Sequence, residues 1–101
     1  MRKIKGLEII GKTSLLLDDM TKNFSAENAD RYVAKMKSLH ADLKKFNRKN
    51  KDKRFEPAFE GMELAVAKFI VFLEGKGDPE VFAEANNTLK KAIELLPGGD
   101  S

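Results

Sequence analysis

The sequence predicts an all-α protein, a small antiparallel bundle of four helices, on three observations. Four apolar patterns recur at three- and four-residue steps, no stretch alternates at the two-residue period of a strand, and caps or breakers separate the patterns. The 101 residues make one domain, 1–101, large enough for a single core without disulfides or metal.

The first helix is expected over about 2–22. Ile4, Leu7, Ile10, Leu17, Met20 and Phe24 keep helical spacing, with Ser14 filling one core step. Gly6 and Gly11 each weaken a helix by about 1 kcal/mol relative to Ala. Residues 2–10 are therefore open between helix and extended chain.

Ser25 is a good N-cap for a second helix over 26–46. Its apolar face is Ala29, Tyr32, Val33, Met36, Leu39, Leu43 and Phe46. Residues 47–54 contain no apolar side chain and are expected as solvated loop, the core of a basic connection over 47–56.

The third helix, 57–74, organises the rest. Pro57 suits a first turn, where a missing N–H costs nothing, and Gly75 and Gly77 stop the helix. Phe59, Met62, Val66, Phe69 and Leu73 form one stripe, which Ala58, Ala65 and Phe72 widen. Leu64, Ile70 and Val71 fall partly outside it, so this helix is apolar nearly all round and must be covered on nearly all sides. Two coverings are open. Either the three neighbouring helices suffice, or Leu64, Ala67, Ile70 and Val71 form an interface with a second copy or another protein.

Asp78 and Pro79 start a fourth helix, 79–96, with Phe82, Ala85, Leu89, Ala92 and Leu96 on its face and Val81 and Ile93 beside them. Pro97, Gly98 and Gly99 end it and leave a loose tail, 97–101.

Several classes of chemistry lose support. With no cysteine there is no thiolate nucleophile or cysteine-ligated zinc, and nothing argues for an oxidising compartment. Gly6–Met20 is broken by Glu8, Lys12, Asp18 and Asp19, so no signal peptide is expected and the expected location is the cytoplasm. The longest apolar run, 64–73, contains Lys68 and is far short of the ~20 residues that span a bilayer, so no membrane partner is expected.

Gly6 to Thr13 matches G-x-x-x-x-G-K-[ST] literally. That phosphate loop needs a buried strand before it and small residues within it, and bulky Leu7, Ile9 and Ile10 fill this one. His40 is the sole histidine. Ser38 and Asp42 stand two residues from it on a helix and so face elsewhere, which excludes a triad. Glu56, Glu60 and Glu63 on the third helix, with Glu84 and Glu94 on the fourth, lack the Glu-x-x-His of a dimetal bundle. No metal, cofactor or small-molecule substrate is implied, and no enzyme class gains support.

Charge is divided along the chain. Residues 1–54 hold 15 Lys/Arg against 7 Asp/Glu, net +8; residues 55–101 hold 4 against 9, net −5. Lys44, Lys45, Arg48, Lys49, Lys51, Lys53 and Arg54 place seven cations in eleven residues, with Asp52 the sole anion. Such density can neutralise several phosphates without regard to sequence. Phe46 and Phe55 flank it and could stack on unpaired bases, although both fit their helices' apolar faces. The leading expectation is a non-enzymatic interaction module acting through the third helix. The alternative is a nucleic-acid binder acting through 44–54.

Overall fold

In a computed structural model, which describes residues 5–75 and 77–96 (side chains from residue 8 onward), the four patterns become four packed helices, with no strand among the described residues. α1 is Lys5–Asn23, α2 is Ala29–Lys49, α3 is Glu56–Glu74 and α4 is Pro79–Glu94. Each packs on the next in sequence, so α2 lies between α1 and α3, and α3 between α2 and α4. Lys37 of α2 meets Glu74, whereas Asn47, further along α2, meets Phe59 and Glu63. On the other flank Phe72 meets Phe82, and Gly61 lies against Ala92.

The core is built on α3. Ala58, Phe59, Met62, Ala65, Val66, Phe69, Phe72 and Leu73 are all buried, as the stripe predicts. Each large apolar side chain so buried contributes about 1.5–3 kcal/mol. Phe59 packs on Phe46 at 4.6 Å between ring centroids, and Phe72 bridges Phe24 at 5.3 Å and Phe82 at 5.1 Å. These rings tie both neighbouring helices, and the end of α1, to the central one.

The caps follow local chemistry. Ser25 Oγ accepts from the Asn28 amide while Asn28 Oδ1 accepts from the Ser25 amide, a reciprocal box. It closes a 3-10 turn, Ala26–Asn28, so α2 proper begins at Ala29 rather than 26. The Asp78 carboxylate accepts from the Glu80 amide and caps α4, with Pro79 in its first turn. Gly77 donates to Phe72 O at 3.1 Å with φ of 104°, the left-handed conformation glycine adopts freely.

Four expectations change. Residues 5–10 are helical, which decides most of the 2–10 question; residues 2–4 and the tail 97–101 lie outside the described residues. The buried face of α1 is rotated by one residue: Ile9, Thr13 and Met20 are buried, Ser14 is exposed, and Ile10 and Leu17 are half-buried. Thr13 can take a core position because its hydroxyl donates to Ile9 O, 2.8 Å away, and needs no water. α2 continues through Asn47, Arg48 and Lys49, three residues the composition assigned to solvated loop. At the other end α4 stops at Glu94, two residues early, and Ile93 is exposed.

The phosphate-loop match falls inside α1 from Gly6 to Thr13, with Thr13 buried. From Ile9 onward the backbone amides are spent on the helix itself and cannot wrap a phosphate.

Candidate interaction surface

Beyond the first turn of α3, where Glu56 and Pro57 are exposed, the exposed positions form one strip: Glu60, Leu64, Val71 and Glu74, with half-buried Ala67 at its centre. Steps of four, three, four and three residues keep them on one side of a 3.6-residue helix. Leu64 is 54% exposed and Val71 57%, while Ile70 is half-buried beside them toward α2. α2 and α4 therefore cover the helix except for this strip. The four residues that the sequence singled out, Leu64, Ala67, Ile70 and Val71, sit on or next to it.

Ion pairs edge the strip. Lys37 Nζ reaches Glu74 at 3.3 Å from α2, and Lys68 Nζ reaches Glu84 at 2.7 Å toward α4. Lys68 thereby spends its charge sideways, and its methylene stem stays against apolar neighbours. Glu63 leans toward α2, where its Oε1 accepts from Asn47 Nδ2 at 2.8 Å. The same Nδ2 donates to Phe59 O at 3.2 Å, and Asn47 Oδ1 is buried with no partner. Asn47, taken from composition as solvated, is thus an interhelical tie.

The basic segment divides into two parts. Lys44, Lys45, Arg48 and Lys49 lie on the exposed side of the last turns of α2, where cations favour the negative end of the helix dipole. Lys51, Lys53 and Arg54 lie in the turn before α3. Arg54 is occupied: its Nη2 and Nε donate to the Asp52 carboxylate at 2.9 and 3.2 Å, and its guanidinium lies 5.8 Å from the Phe55 ring centre. The Arg54 hydrogen bonds hold the Asp52 carboxyl below its ordinary range, and Asp52 in turn raises Arg54. The other six cations are exposed and, among the described residues, take part in no ion pair. Among the described residues, opposite halves of the chain are joined by one bridge, Lys37–Glu74, which does not involve the basic segment. Phe46 and Phe55 are half-buried and turned onto Phe59, at 4.6 and 6.2 Å.

Sequence reasoning missed two large exposed apolar residues, Leu15 and Leu95. Leu15, 73% exposed, stands at a groove of about 350 Å³ between α1 and α2, beside Lys12, Asp19, Lys35 and Asp42. It lies on the side of α1 away from buried Ile9, Thr13 and Met20, next to half-buried Leu16 and Leu17. Asn23 Nδ2 donates to Asp19 at 2.7 Å and lowers that carboxyl. Asp42 is paired with Lys12 at 3.6 Å and lines this groove together with Ser38, whereas half-buried His40 is not among its lining residues, so no triad assembles.

Among the described residues no three His, Cys, Asp or Glu side chains are grouped to hold a metal ion, and no helix is long and apolar enough to cross a membrane. No protein-family model, curated protein or solved structure matches this chain.

Proposed function

We propose that the protein is a small, non-enzymatic interaction module of the cytoplasm that docks a protein surface, a second copy or a subunit of a larger assembly, on the outer strip of α3. One observation carries this reading: Leu64 and Val71 stand more than half exposed on the helix whose other face, eight residues from Ala58 to Leu73, forms the centre of the core. Covering such residues contributes about 25 cal/mol per Å² of apolar surface removed from water. The test is an amide chemical-shift series on dilution of the labelled protein. Changes confined to Leu64, Ala67, Ile70, Val71 and their neighbours support the strip as the docking face. Changes elsewhere, or none, remove a second copy as the partner of the strip.

The six cations without ion pairs favour a second reading, in which residues 44–54 bind nucleic acid through its phosphates. Contact with six phosphates would lower affinity by about 10³-fold between 50 and 200 mM salt. Fluorescence anisotropy with single- and double-stranded oligonucleotides measures this directly. Binding that collapses at the higher salt supports the reading, and absence of binding at 50 mM ends it.

A further inference from the structure

We infer that a second copy of this chain covers the strip, with α3 crossing α3 about a two-fold axis at Ala67. This rests on the docking reading above and adds its partner and register.

The strip is close to a palindrome. Outward from Ala67 come Leu64 on one side and Val71 on the other, then Glu60 and Glu74. A two-fold interface requires a patch that complements itself, each residue meeting its counterpart across the axis. Rotation about Ala67 sets Leu64 of one copy on Val71 of the other. The smallest side chain of the strip then lies at the crossing point, where two helices must approach most closely.

This register places like charges together, and Lys37 offsets them in part. Rotation brings Glu60 of one copy to Glu74 of the other, where Lys37 already holds Glu74 at 3.3 Å. An ammonium has three donors, so Lys37 can serve both carboxylates. Lys68, adjacent to the axis, is held by Glu84 at 2.7 Å and brings no unpaired cation to the crossing. The strip is narrow, and flanking α2 and α4 side chains must supply the rest of a stable contact, so the association belongs with weak, reversible ones.

The chain has no cysteine, which makes single introduced cysteines unambiguous reporters. Axes 8–10 Å apart, with Cα atoms at a radius of about 2.3 Å, place the two Ala67 Cα atoms roughly 3–5 Å apart at the crossing. A disulfide tolerates up to about 7 Å. Two Leu64 residues would be offset by about 9 Å along the axes, and two Val71 residues by about 12 Å. Under mild oxidation at concentrations where the wild type is dimeric, Ala67→Cys should therefore cross-link to itself. Leu64→Cys and Val71→Cys should each remain largely uncross-linked alone and cross-link when mixed. Ala67→Ser, with unchanged circular dichroism and unchanged association, controls for a folding defect. Self-cross-linking of Leu64→Cys equal to that of Ala67→Cys overturns the register. An uncross-linked Ala67→Cys beside dilution shifts at the strip overturns it too, and leaves the docking face standing. Dilution shifts absent from the strip overturn the second copy as its occupant.

Discussion

Gly61 of α3 lies so close to Ala92 of α4 that a Cβ at residue 61 would stand 2.8 Å from the Ala92 Cβ. Ala92 is buried and has no flexible end to move aside. The contact lets α4 press against one flank of α3, so the uncovered side of α3 is the one carrying Leu64 and Val71.

Gly61→Ala should therefore destabilise the fold. The helix-propensity gain of up to about 1 kcal/mol is outweighed by overpacking of about 1–3 kcal/mol. Gly11→Ala is the contrasting case: nothing lies within 4 Å of its added Cβ. It should stabilise by up to about 1 kcal/mol and raise the Tm by about 4–8 °C. Paired thermal melts of the two variants check both signs, and a stabilised Gly61→Ala would contradict the close approach.

Asn47→Asp should destabilise with a distinctive pH dependence. The new carboxylate would take the place of an amide that donates to Glu63 Oε1 at 2.8 Å and to Phe59 O. Two like charges at that distance raise a carboxyl pKa above its unfolded value. The variant is then closest to wild-type stability below about pH 4 and loses stability as pH rises through the raised pKa. Asn47→Ala should cost about 1–3 kcal/mol at every pH. Urea unfolding from pH 3 to 8 separates the two behaviours.

Asp52 should show the opposite sign. Its carboxyl is lowered from 3.8 chiefly by the Arg54 side-chain hydrogen bonds, so whatever it contributes is present above the unfolded value and fades as pH falls through the lowered one. A carboxyl-carbon titration by NMR should place Asp52 below 3.8 in the wild type and return it toward 3.8 in Arg54→Ala. An unchanged midpoint in Arg54→Ala would mean that the pair does not persist in solution.

Much of this fold is legible in the sequence. The four helices, the eight-residue buried face of α3 and the Asp78 cap follow from periodicity and capping chemistry, whereas the exposure of Leu64 and Val71 was one of two coverings the pattern left open. What was not legible has definite causes. Ile9 and Ile10, and the run Leu15-Leu16-Leu17, support two helical faces one residue apart, and the polar label on Thr13 hides a hydroxyl that satisfies itself within its own helix. Asn47 looks solvated in a charged run because its partners, Phe59 and Glu63, lie on another helix, beyond the reach of local composition. The likeness of residues 60–74 to a palindrome is written in the sequence, but it has meaning only once α2 and α4 are seen to leave that strip uncovered.

Sedimentation velocity over a wide concentration range, on the wild type and on Leu64→Glu with Val71→Glu, tests the central claim most directly. Both positions are exposed, so the double variant should keep its fold and melt within a few degrees of the wild type. The wild-type sedimentation coefficient should rise toward that of a dimer with concentration, and the variant should stay monomeric throughout. A wild type that remains monomeric at every concentration, or a variant that associates as readily as the wild type, would contradict it.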